Sequence, residues 1–199
     1  MLFTVMLLGL TLVATVTDVL RNKVYNWNTY SGILAALALS AVGSAWLLAD
    51  GAAEARLCCW LGAPPLLDCV GGLLTCGVLM IVCFSLFPGI GGGDVKLMAM
   101  IGALLGAEKG LEALLWTFVL GSCFSMILLV WRIGPVTTLS RVVRLVSTRL
   151  RLPWFMPLSD EERKALKPPV FLAPSALVAV VIVRFNLVEA LEKILSLRA

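Results

Sequence analysis

Two aspartates stand where few ionisable residues belong. Asp18 ends one long apolar run and Asp94 opens another. A carboxylate at membrane depth is expensive to keep and marks a functional position by default. Two carboxylates at one level of a helical bundle can face each other, and then they share a proton because both cannot easily ionise. The ionised one activates a water and the protonated one donates to a scissile carbonyl. That is aspartic protease chemistry, and it needs no histidine, metal or nucleophilic serine. The chain has no histidine. Ser-His-Asp and Cys-His catalysis and histidine-ligated metals are thereby excluded. The six cysteines, Cys58, Cys59, Cys69, Cys76, Cys83 and Cys123, form no C-x-x-C pair, so no zinc or redox site is expected. Cys69, Cys76 and Cys83 recur every seven residues, on one helix stripe, as small packing residues. Neither a metal nor a cofactor is expected.

The elements that must hold these acids are set by composition. Of 199 residues, 60% are hydrophobic and 14% are charged, and the mean hydropathy is +1.00. A soluble domain carries about 25% charged residues. Apolar runs of about 18 residues mark membrane-spanning helices. A soluble enzyme, a disordered tail, a collagen-like chain and a secreted disulfide scaffold are excluded. The expectation is an all-α, polytopic integral membrane protein with about six transmembrane helices, forming a single membrane domain over 1–199.

The six runs are Leu2–Thr17, Tyr30–Ala49, Cys69–Phe87, Val95–Ala107, Leu111–Trp131 and Val170–Val183, the last reaching about Leu187. The first lacks a basic lead and a clear cleavage site, so it reads as a retained helix. Loops are expected at Asp18–Asn28 and Asp50–Asp68, a stop at Pro88 and the glycines after it, and a tight turn at Glu108–Gly110. With six spans, eleven of the sixteen basic residues fall on one side and five on the other, which places the first group in the cytoplasm and both termini outside. The segment Arg132–Pro169 carries Arg141, Arg144, Thr148 and Arg151 on one helical face and Leu139, Val142, Val146 and Leu150 on another. It reads as a basic amphipathic cytoplasmic segment (132–169) on anionic lipid, as an orientation anchor or in substrate docking. No basic cluster is interleaved with aromatics as nucleic-acid binding requires, so no nucleic-acid partner is expected.

Helix dipoles assign provisional roles. Asp94, at a helix N-terminus, is expected to be the base, and Asp18, near a helix C-terminus, the proton donor. On spacing alone, other readings stay open. Asp94 can be an N-cap and Asp18 a polar residue at the interface. The pair can serve an ion or proton relay in a transporter, or the chain can be a non-catalytic secretion-system scaffold.

The local motifs carry a resemblance. The second acid lies in Gly89-Ile-Gly-Gly-Gly-Asp-Val-Lys-Leu97, where Gly91-Gly92-Gly93-Asp94 matches G-x-G-D. The first lies in Thr17-Asp-Val-Leu-Arg-Asn-Lys-Val-Tyr-Asn26. Together these resemble the type IV prepilin peptidases, membrane aspartic proteases in which one acid begins a D-x-x-x-x-x-I-P-N-like loop and the second sits in G-x-G-D-x-K. The resemblance runs from about Thr11 to about Val183. It implies that Asp18 and Asp94 are the catalytic pair and that Gly91 and Gly93 let the backbone bend, as glycine accepts positive φ and close approach. It makes Lys96 a structural or substrate-orienting charge and matches Asn26 to the asparagine of the first block. The segment Pro169-Val-Phe-Leu-Ala-Pro174 loosely resembles the start of the family's last helices. The implied partner is the leader of a prepilin or pseudopilin, cut on the cytoplasmic side of a bacterial inner membrane. Tyr25 replaces the family's proline. The cytoplasmic domain with paired C-x-x-C motifs, linked to N-methylation, is missing, so the chain resembles the short forms. Presenilin and signal peptide peptidase place their first acid in a Y-D motif within a span, which is absent.

Overall fold

The computed structural model describes residues 2–21, 24–49, 64–86, 90–137, 139–140, 143–144 and 172–196. Every one of the six apolar runs contains a helix. In chain order these are α1 (Leu2–Arg21), α2 (Asn26–Ala49), α3 (Leu66–Leu86), α4 (Gly92–Leu105), α5 (Ala107–Ile133) and α6 (Leu172–Arg184). A further helix, α7 (Leu187–Ser196), follows α6 across Asn186, whose φ is +47°. No strand occurs among the described residues. Among the described residues three helices, α1, α3 and α5, are long and apolar enough to cross a membrane, and α6 is a shorter apolar helix. The chain is an all-α membrane protein.

The described residues divide into two compact units, Met1–Leu120 with Phe171–Ala199, and Gly121–Val170. The first unit is organised around α4. Residues Leu97, Met98 and Met100 to Leu105 of this 14-residue helix are all buried. A helix apolar on all sides belongs in a core, and α1, α2, α3 and α6 pack around this one. On α1 the inward stripe is Phe3, Leu7, Thr11 and Ala14, at helical spacing. Its other faces leave Val5, Leu12, Val13, Val16 and Leu20 exposed, as lipid contact requires. Thr11 satisfies its buried hydroxyl by donating to the Leu7 carbonyl at 2.7 Å.

Small residues let α3 and α4 come together closely. A Cβ added to Gly72 would strike the Gly102 carbonyl oxygen, and one added to Gly102 would strike the Gly72 carbonyl oxygen. Without a hydrophobic drive between helices in lipid, such backbone proximity is what secures packing. Cys69 and Cys76 are buried free thiols on this side of α3, in line with the packing role expected of them, and Cys83 is only half-buried. Cys58 and Cys59 lie outside the described residues.

Several boundaries differ from expectation, each for a local reason. Asp18 and Asp68 are not loop residues, since α1 continues to Arg21 and α3 begins at Leu66. The break after the fourth run falls at Gly106 and not at Glu108–Gly110, which is helical. Gly106 takes φ +86° and donates its N–H to the Gly102 carbonyl at 2.9 Å. Asp68 then accepts the Ala107 N–H at 3.0 Å and so supplies a partner to the first turn of α5. In the second unit, α5 runs on through Arg132 to Ile133 and stops at Gly134, with φ +89° and Pro135 behind it. Of the expected amphipathic segment, 135–137, 139–140 and 143–144 are helical. Its residues Thr138, Arg141, Val142 and Leu145 to Pro169 lie outside the described residues.

Candidate active site

Asp18 stands in the last turn of α1 and Asp94 in the first turn of α4. Both are half-buried. Their carboxylates lie within electrostatic reach of each other. The helices that carry them pack directly together. The fold therefore brings to one place two acids that the sequence keeps far apart.

The setting of Asp94 is local. The helix begins at Gly92, so the acid is the third helical residue and not the N-cap. Its Oδ2 accepts the N–H of Gly91 at 3.0 Å, and its own N–H donates to the Gly91 carbonyl at 3.0 Å. This reciprocal pair has the logic of a capping box. It fixes the carboxylate over the start of its own helix.

Of the two glycine properties expected here, positive φ and close approach, the second is the one in use. Gly91 is extended, with φ −84° and ψ 149°, and the positive-φ glycines among the described residues are Gly106 and Gly134. What Gly91 and Gly93 provide is close approach. A Cβ at Gly91 would lie 3.2 Å from Asp94 Oδ2, and one at Gly93 would lie 3.1 Å from Cβ of Val24. Gly93 thus lets the start of α4 press against the segment that follows α1.

The setting of Asp18 is tertiary. The backbone of Ala173, in the first turn of α6, lies close to its carboxylate. Thr15, three residues earlier on α1, donates to the Ala173 carbonyl at 3.1 Å. Asp18 therefore meets the N-terminal end of a second helix as well as the C-terminal end of its own. Each acid lies at a helix start, Asp94 at that of α4 and Asp18 beside that of α6, so the dipole of each acid's own helix no longer separates their roles.

Lys96 and Asn26 also meet. The ammonium donates to Asn26 Oδ1 at 2.9 Å and lies 5.2 Å from the centre of the Tyr30 ring. Asn28, which is buried, ties the start of α2 to α1 by donating to the Leu10 carbonyl at 2.9 Å. Tyr25, at the family's proline position, accepts a hydrogen bond from Arg21 at 2.6 Å. Tyr30, Val24, Thr15 and Ala173 were not singled out in the sequence. Tyr30 sits four residues after Asn26, on the same helix face, which is a legible signal. Nothing near Asp18 in the chain points to Ala173.

The site so far is that of a helical membrane protein in which two half-buried carboxylates, at the ends of packed helices, lie within electrostatic reach of each other. Among the described residues, no group of histidines, cysteines and acids could hold a metal ion. The model of the type IV leader peptidase family matches residues 5–126, more than half of the chain. The chain belongs to that family, and its activity class is that of a peptidase. No curated protein and no solved structure matches it.

Proposed function

We propose that this protein is an aspartic-type endopeptidase that cuts the leader of a prepilin or pseudopilin on the cytoplasmic side of a bacterial inner membrane. Asp18 and Asp94 are the catalytic pair. The observation that carries this reading is their convergence: two acids from opposite halves of the family-matched segment interact at the ends of packed helices.

The chemistry follows from the geometry. Gly91 engages Oδ2 of Asp94, leaving Oδ1 to face a water or the partner acid. One carboxylate draws a proton from the water, which attacks the scissile carbonyl. The other, protonated, donates to the carbonyl oxygen and stabilises the tetrahedral intermediate. The proton taken from water then passes to the leaving amine. The titration of such a pair belongs to both acids together, so neither is assigned a fixed role at rest. The basic residues on the cytoplasmic side hold the enzyme against anionic lipid, where a basic leader also gathers.

The test is cleavage of a prepilin leader peptide by purified protein in detergent, with Asp18→Asn and Asp94→Asn beside the wild type. Product from the wild type and none from either variant supports the pair. Equal cutting by all three removes it.

A further inference from the structure

We propose that Asn26, Tyr30 and Lys96 form one positioning unit that locks the Asp94-bearing end of α4 to the start of α2. This rests on the peptidase reading and adds to it a set of residues that act without touching substrate.

The placement of Lys96 carries the argument. It lies in the second turn of α4, two residues beyond Asp94, and its ammonium is committed to another helix. The ammonium reaches across to α2 and is received by the amide oxygen of Asn26 at 2.9 Å and by the face of the Tyr30 ring at 5.2 Å. Asn26 and Tyr30 are four residues apart, so one face of α2 presents both. The charge strengthens the hydrogen bond, and the ring quadrupole attracts the ammonium.

Lys96 cannot serve Asp94 directly. Residues two apart on a helix point to different sides. The lysine acts through the backbone between them. Its reach to α2 joins a second contact on the same end, that of Gly93 against Val24. Val24 and Asn26 lie in the segment that leads from α1, and so from Asp18, into α2. The two contacts together set the separation of the two acids. An asparagine and a lysine, one from each motif block, and a tyrosine one turn beyond the first block thus make a strut.

Two readouts test it: steady-state cleavage of a leader peptide, and hydrogen exchange of the protein in detergent over Asp94–Met98. Lys96→Met and Tyr30→Leu are each expected to lower kcat about tenfold with KM changed less than about twofold. Exchange over Asp94–Met98 should rise about tenfold in both, while α3 peptides stay unchanged. The double variant should be no worse than the poorer single one within about twofold, because both remove the same strut. Tyr30→Phe, which keeps the ring, should recover the wild-type values that Tyr30→Leu loses. Multiplying effects in the double variant, unchanged exchange in Lys96→Met, or a raised KM at constant kcat would each overturn the proposal. A wild type that cuts no leader would remove the peptidase reading instead, and the exchange measurements would still decide the strut.

Discussion

The two ends of α4 are held by different physics. Its C-terminal part, from Met100 to Leu105, is buried on every side and meets α3 through Gly72 and Gly102. Its N-terminal part is half-exposed and held by polar partners, namely Gly91, Asn26 and the Tyr30 ring. The first end gives the helix a fixed place by shape. The second leaves a carboxylate half-exposed and aims it by a few directed contacts. Packing density and chemical access are hard to combine in one turn, and here one helix separates them along its length.

The largest effect that sharpens this comparison lies at the open end. Asp94→Asn should lower kcat/KM on the order of a thousandfold, the range of a lost acid–base group. The asparagine keeps an oxygen for the Gly91 N–H, so the midpoint of thermal unfolding in detergent should stay close to that of the wild type. A large fall in that midpoint would break the comparison, since it would make the open end structural. At the buried end the order reverses. Gly102→Leu would force side-chain atoms onto the Gly72 carbonyl and the Cys76 side chain. A destabilisation of about 3 kcal/mol or more is expected from overpacking, read as loss of the folded peak in size-exclusion chromatography. A well-folded Gly102→Leu protein would show that the seam is loose.

Two smaller effects test the joints beside these ends. Asp68→Ala removes the acceptor for the Ala107 N–H. It should destabilise by about 1 kcal/mol, as lost helix caps do, and leave kcat unchanged in the protein that remains folded. Thr15→Val removes the hydroxyl that bonds the Ala173 carbonyl beside Asp18. A loss of about 0.5–1.5 kcal/mol of local stability is expected, seen as faster hydrogen exchange at the start of α6. If exchange there is unchanged, Ala173 is held by packing alone and α6 is independent of α1 at that point.

The two acids differ in how far their surroundings could be read from the chain. Asp94 takes its own hydrogen bond from a neighbour three residues away. The glycines before it and the apolar run after it announce a helix start, and the reciprocal bonds with Gly91 follow from that. The helix begins at Gly92 and not after Asp94, because the glycines join the first turn. Asp18 was legible as an acid at the end of a run and at the head of its motif block, but its surroundings were not. Its partner Ala173 lies beyond the family-matched residues 5–126. No local pattern encodes a meeting of the first helix with the sixth.

The sequence by itself determined the class of the protein. Sixty per cent hydrophobic residues in long runs can satisfy their backbone in lipid only as helices. It also singled out Asp18 and Asp94, because charge is rare in such runs and so stands out. It named Lys96 and Asn26 without indicating that they touch. Only the tertiary structure decided that α4 is the central helix, that Gly91 and Gly93 serve close approach and not positive φ, and that Lys96 reaches Asn26 and Tyr30. Those are facts about distance between remote segments. Periodicity tells which face of a helix is buried, but the neighbour that buries it is selected by the packing of all the helices at once.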